Sequence, residues 1–256
     1  MKVATWNVNS VLARLPLVER WLASARPDVL CLQETKCADE KFPAAAFTAL
    51  GYQSVAFGQP TYNGVAIVSR LPVSDVQRGF GDEEETARAR LLAGTVGGVR
   101  VVNVYVPNGQ AVGTEKYYFK LDWLRRLREF FDEHHWTDDN VLLCGDFNVA
   151  PEDRDVHDPQ LWHGRILFSA PEKQALAEVK AWGFVDAYRE HVAAGGNFSW
   201  WDYRAAGFRR NAGLRIDHIW VSPPLAARCT KAWIDREPRG WERPSDHTPV
   251  VAEFKV

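Results

Sequence analysis

The sequence predicts a layered α/β fold, with two sheets packed face to face and helices outside them. Three observations carry this expectation. Several strand-like runs, among them residues 29–32, 65–68 and 141–144, are apolar without polar alternation, as strands covered on both faces are. Between such runs lie segments with apolar residues at helical spacing. With 256 residues, 46% hydrophobic and 25% charged, the chain is ample for a large core, and helices outside two packed sheets would bury all of it.

In chain order, strands are expected at about residues 2–6, 28–33, 52–57, 63–69, 90–96, 99–106, 140–145, 184–187, 197–201, 214–221, 230–234 and 248–255, on β-branched content and flanking Gly, Pro or Asn. Helices fit between them. Residues 15–25 read helical and stop before Pro27; residues 116–134 carry apolar positions at helical spacing with charges between; residues 170–182 open with Pro171 and Glu172, as helix starts do. No short repeat or low-complexity segment interrupts this order. The stretches 109–113 and 134–140 divide the chain roughly in half, and each half mixes strands with helix. A single domain over residues 1–256, made of two similar halves, is the expected organisation.

Composition narrows the function classes. A formal net charge of −2 gives no global pull toward nucleic acid, so binding of a polyanion requires a local basic face. The four cysteines, Cys31, Cys37, Cys144 and Cys229, show no CxxC spacing, and Cys31 and Cys144 fall inside apolar runs. Free thiols in a reducing cytosol, and so a cytoplasmic location, are the expectation. No charged and apolar leader opens the sequence, and no apolar run approaches bilayer length.

The polar residues concentrate where strands end. Residues 141–144 deliver the chain into Gly145-Asp146-Phe147-Asn148, and residues two apart on a strand point the same way, so both polar heads can address one volume. Similar endings recur at Asn7-Val8-Asn9, Gln33-Glu34, Tyr105 toward Asn108, Asp217-His218 and Ser245-Asp246-His247. Taken singly, each has an ordinary explanation: a plain turn at 145–148, a capped loop at 245–247, a surface pair of Glu34 with Lys36, a core aromatic at Tyr105. Those explanations leave open why so many separate strand ends carry carboxylates, amides and imidazoles. Unpaired carboxylates beside a core cost several kcal/mol, which points to a shared cation or substrate.

The ordered motifs Trp6-Asn7-Val8-Asn9, Leu32-Gln33-Glu34-Thr35-Lys36, Tyr62-Asn63-Gly64-Val65-Ala66, Tyr105-Val106-Pro107-Asn108-Gly109, Gly145-Asp146-Phe147-Asn148, Phe198-Ser199-Trp200-Trp201-Asp202-Tyr203-Arg204, Gly213-Leu214-Arg215-Ile216-Asp217 and Pro244-Ser245-Asp246-His247 resemble the exonuclease III family of apurinic/apyrimidinic (AP) endonucleases. The resemblance runs from residue 1 to the final strand. It implies a four-layer α/β/β/α sandwich of two mixed sheets with the site at one end of them. It also implies a DNA-repair hydrolase of base excision repair that cleaves 5′ to abasic sites, with 3′ phosphodiesterase and 3′ to 5′ exonuclease activity.

Its expected partner is double-stranded DNA with abasic sites or blocked 3′ ends, its cofactor Mg2+ with Mn2+ as substitute, and its state a monomer. Mg2+ prefers oxygen ligands, which suits Glu34 with help from Asn7; Asp146, Asn148, Asp246 and His247 are the further metal-ligand candidates. By resemblance, Asp146 orients or deprotonates the attacking water, Asn148 holds a phosphate oxygen, His247 contacts the phosphate and Asp217 orients its imidazole. Tyr105 and Asn108 resemble the family's phosphate-side residues. Trp200, Leu214 and Ile216 match positions that wall a pocket for a flipped baseless sugar, although core packing explains Leu214 and Ile216 equally well. Arg204, Arg209, Arg210 and Arg215 form one basic group and Lys116, Lys120, Arg125 and Arg126 another, either tracking DNA phosphates or forming solvated faces. Asn7-Val8-Asn9 stands where some members carry Asn-x-Asp, which leaves the metal count open. A 3′-trimming exonuclease with weak abasic incision and a catalytically silent DNA-binding relative are the alternatives.

Overall fold

Two six-stranded sheets form because the apolar runs find cover on both faces. In the computed structural model, which describes residues 1–81 and 88–256, β1 (Lys2–Asn7), β2 (Val29–Gln33), β3 (Gln53–Phe57) and β4 (Val65–Ser69) share a sheet with β11 (Cys229–Ile234) and β12 (Val250–Phe254), in the order β11-β12-β1-β2-β4-β3. The second sheet runs β5-β6-β7-β8-β10-β9, from β5 (Val73–Arg78), β6 (Leu91–Val96), β7 (Val99–Tyr105), β8 (Val141–Asp146), β10 (Asp217–Val221) and β9 (Val185–Asp186). Each sheet mixes parallel and antiparallel pairs.

Strand alternation sorts side chains into layers. Val3, Val29, Cys31, Val101, Leu142, Cys144 and Ile219 pack between the sheets. Ala4, Trp6 and Leu30 face outward beneath α1 (Val11–Ala25) and α2 (Ala44–Ala49), meeting Trp21, Leu22 and Phe47. On the other side, Val102, Val104 and Leu143 meet Trp123, Leu127 and Phe131 of α3 (Glu115–His134) and Leu176 of α5 (Ala170–Lys180). The short α4 (Pro159–Trp162) precedes α5. The result is an α/β/β/α sandwich. All four cysteines are free, and no helix among the described residues is long and apolar enough to cross a membrane.

Local chemistry accounts for the boundaries. Thr114 caps α3 by accepting from the Tyr117 amide, and Ser169 and Glu172 form a reciprocal capping box at α5. Where residues 15–25 suggest a helix, α1 begins at Val11, where Ser10 caps it, and accommodates Pro16 inside it. Residues 197–201 do not form a strand: Trp200 makes isolated bridges to Leu214 and His247, its backbone pairing with a loop. Strand β5 has no sequence signal, since VSDVQR is polar and largely exposed at a sheet edge.

Arg215, expected in a basic face, is buried instead. Its guanidinium donates to Asp155 at 2.6 Å and to His218 Nδ1 at 3.0 Å, and pairs with Asp186 at 2.9 Å. Arg189, half-buried, also pairs with Asp155, so two cations balance two buried carboxylates. Removing one member of such a network costs about 3–5 kcal/mol, because its partner is left buried and unpaired. His218 Nε2 donates to the Val149 carbonyl at 3.1 Å, leaving Nδ1 as acceptor. Burial, and then the Arg215 charge, push its pKa down from 6.5 to about 3.

That depression has a stability consequence with a defined sign. The unfolded chain takes up the His218 proton first as pH falls, so the stability tied to the neutral ring is present above about 6.5 and is lost progressively toward about 3. Urea midpoints measured from pH 7.5 to 5 will fall for the wild type and fall less steeply for His218→Gln; parallel slopes would remove His218 from this account.

Candidate active site

The rim of the sandwich gathers groups that lie far apart in sequence. β1 and β2 run parallel with Asn7 opposite Gln33, β7 and β8 run parallel with Tyr105 opposite Asp146, and β10 starts antiparallel with Asp217 opposite Asp146. The ends of β1, β2, β7 and β8 and the start of β10 therefore meet at one edge. At Gly145 the backbone has φ of 145°, and a Cβ there would lie 1.9 Å from the Val104 carbonyl oxygen, so only glycine brings β8 this close to β7 just before Asp146. Glu34 leaves β2 with φ of 50°, a left-handed conformation that non-glycine residues seldom adopt.

Hydrogen bonds lock the cluster. Asn7 Nδ2 donates to Glu34 Oε1 at 2.9 Å and to Asp146 Oδ2 at 2.8 Å, while Asn7 Oδ1 accepts from the Asn9 amide. Asp146 Oδ1 accepts from the Asn148 amide at 2.9 Å. The Asn148 side chain donates to Asp146 Oδ2 and to the Val106 carbonyl and accepts from Asn108 Nδ2 at 3.1 Å. His247 Nδ1 donates to Asp217 Oδ2 at 2.9 Å, and its Nε2 lies 3.7 Å from Asp146. Asp217 also accepts from Ser199 Oγ at 2.6 Å.

Electrostatics follow from crowding buried carboxylates. Burial raises the Asp146 pKa, the His247 charge opposes this and Asp217 adds to it, leaving it at about 7. Burial alone would lower His247, but the Asp217 and Asp146 carboxylates outweigh it and hold it at about 10. Tyr105 is pushed well up by burial and then by Glu34 and Asp146, so its hydroxyl keeps its proton. Asp246 is lowered: burial pulls upward, but His247, Trp200 and Asn9 prevail.

Glu34, Asp146 and His247 each offer a ligand atom, all within 4.8 Å of one another, and the two carboxylates suit a hard divalent cation. Asn7 turns its NH2 toward both carboxylates, so in this orientation it holds them rather than presenting an oxygen. The Asp246 carboxylate is taken up by Asn9 Nδ2 and Trp200 Nε1, each at 3.0 Å, outside that group of three.

The expected recognition residues divide. Leu214 and Ile216 are 0% and 1% exposed, in a small core with Val156, Leu167 and Phe168; they present no open wall, because the half-buried Trp162 and Trp200 pack over that core and contact each other edge to face. Arg204 is on an exposed turn, bonded to Asp202. Of the second basic group, Lys120 is fully buried, Arg125 pairs with Asp122 and Glu129, and Arg126 lies over Phe80. Lys116 instead lines a groove of about 690 Å³ beside the cluster, with Arg88, Arg90, Tyr105 and Asn108.

Sequence reasoning raised the Glu34–Lys36 pair only as an ordinary surface contact; Lys36 pairs with Glu34 at 2.8 Å within the site and donates to Asn9. Three further contributors received no role: Ser199 donates to Asp217, Asn9 reaches Asp246 and Arg90 lies 4.8 Å over the Tyr105 ring. Ser199 and Asn9 had a signal, their places in the ordered motifs. Arg90 had none, since its partner is 15 residues away across a strand pair.

Residues 4–247 match the model of the endonuclease/exonuclease/phosphatase family. The chain is 35% identical to exodeoxyribonuclease III of Haemophilus influenzae, with all of both chains covered. Among solved structures it superposes on an AP endonuclease from Archaeoglobus fulgidus with a TM-score of 0.97 at 40% identity, and on a 3′ phosphatase from Neisseria bound to a product DNA hairpin with 0.96 at 46%, again over the whole of each chain.

The pairing of His247 generates a direct test. With a chelator present, the Cε1 proton resonance of His247 will titrate at about 10 in the wild type and at a lower pH in Asp217→Asn. An unchanged value in the variant would transfer the shift to Asp146.

Proposed function

The chain belongs to the endonuclease/exonuclease/phosphatase family, and from that footing we propose that it is a metal-dependent DNA phosphodiesterase of base excision repair, cleaving 5′ to abasic sites and clearing blocked 3′ ends. Full-length similarity to exodeoxyribonuclease III and to an AP endonuclease makes it a nuclease. The observation that carries the reading is the convergence of Glu34, Asp146 and His247 within 4.8 Å.

The chemistry divides among the residues. A divalent cation, Mg2+ or Mn2+, held by Glu34 and Asp146 would neutralise phosphate charge as the transition state forms. Asp146, a buried carboxylate 3.7 Å from His247 Nε2, would accept or orient a proton of the attacking water. His247, kept protonated by Asp217, serves a phosphate oxygen as a charged donor better than it serves a cation as a ligand. The neutral Tyr105 hydroxyl and the Asn108 and Asn148 amides supply further polar contacts at the phosphate, and the groove bearing Arg88, Arg90 and Lys116 suits the flanking DNA backbone.

One observation favours a second reading, 3′-end trimming with weak abasic incision. The pocket wall expected of Leu214 and Ile216 is closed beneath Trp162 and Trp200, and the 3′ phosphatase is the more identical of the two solved neighbours described above. Labelled duplexes bearing a central abasic analogue, a 3′-phosphate nick or no lesion separate the readings. The first requires comparable Mg2+-dependent cuts at both lesions, abolished by chelator; the second requires turnover at the nick with far weaker cutting at the abasic site; no turnover on either lesion overturns both. Asp146→Asn will lose about 10³-fold or more in kcat while still binding the duplex; wild-type turnover would remove Asp146 from its role.

A further inference from the structure

Lys120 and Glu172 form a fully buried ion pair that the proposed chemistry does not use. Lys120 projects from α3, and besides Glu172 its ammonium donates to the Asn148 carbonyl at 2.7 Å and to the Asn108 carbonyl at 3.1 Å. Three acceptors match the three donors of an ammonium; a neutral amine would leave one unserved. Glu172 is satisfied as well, accepting from the Leu167 and Ser169 amides, each at 3.0 Å, and from Ser169 Oγ at 2.6 Å. A charge pair can persist out of water when its remaining hydrogen-bonding capacity is met in this way.

The two carbonyls are not arbitrary. They belong to the two residues whose side-chain amides are joined at 3.1 Å, so one cation holds the backbones of both members of that pair. Asn148 has φ of 50°, a left-handed conformation that needs outside support, and Lys120 grips its carbonyl. Gly109 has φ of 88°, and a Cβ there would lie 3.1 Å from Lys120 Cδ and 2.9 Å from Ile166 Cδ1, so the loop after Asn108 is pressed against the lysine stem.

We propose that Lys120 is a positioning residue, whose buried ammonium sets the spacing and aim of the Asn108 and Asn148 amides toward the phosphate. This rests on the phosphodiesterase reading above. A misplacement of about 1 Å in such groups costs roughly 10²-fold in rate, and that loss belongs in kcat rather than in substrate binding.

Single removal of Lys120 would strand Glu172, so the test is the pair Lys120→Met with Glu172→Gln, assayed on the 3′-phosphate nick and the abasic duplex. The expected result is a cooperative fold, KM within about threefold of wild type and kcat lower by about 10²-fold. Wild-type kcat, or losses shared equally by kcat and KM, overturns the proposal. If the pair does not fold, Lys120→Arg decides by the same split, since a planar guanidinium cannot reproduce the three-way grip. The 15N side-chain amide resonances of Asn108 and Asn148 give a readout independent of turnover. They will shift in the variant, and unmoved resonances overturn the proposal, whereas a wild type inactive on both duplexes overturns the function reading alone.

Discussion

One amide nitrogen spans the two sheets at the rim. Asn7 Nδ2, from the first sheet, donates both to Glu34 beside it and to Asp146 of the second. It can do so only because β1 and β8 end at the same level and Gly145 lets β8 lie close to β7. Carboxylates from opposite sheets are thereby brought within metal-binding distance, with no covalent link to hold them. The remaining charge balance falls to His247, clamped by Asp217, and to Lys36, paired with Glu34.

Deeper in the sandwich a second polar joint fixes the level at which the sheets meet. Gln33 Nε2 donates to Asn103 Oδ1 at 2.7 Å and to Thr5 Oγ1 at 2.8 Å, and Asn103 Nδ2 donates to the carbonyls of Leu32 and Ala66. Apolar contact between sheets is non-directional and tolerates sliding. A buried hydrogen-bonded network does not, because each group left unpaired by a slip carries a desolvation cost. Asn103 lies two residues before Tyr105, and Gln33 one before Glu34, so the same joint that sets sheet register also sets the distance between these two site residues.

Much of this was legible in the chain. The runs at 29–32, 65–68 and 141–144 became strands covered on both faces, because an apolar run without alternation has no face to give to water. The polar residues at strand ends converged, because strands of a layered fold that share a direction end at a shared edge. What misled was periodicity where the partner is a loop, as at 197–201, and composition where an edge strand is polar, as in β5.

By itself the sequence determined the layered class, the strand ends that carry the chemistry and the family resemblance, since all three rest on local pattern and ordered motifs. Only the tertiary structure decided which charges face solvent and which apolar side chains are accessible. Lys120 and Arg215 read as members of basic patches, yet their partners lie at Asn108, Asn148 and Glu172 and at Asp155 and Asp186. Leu214 and Ile216 read equally as pocket or core, and Trp162, more than 50 positions earlier in the chain, helps to close them off. Burial is a property of what packs against a residue, and those neighbours are distant in sequence.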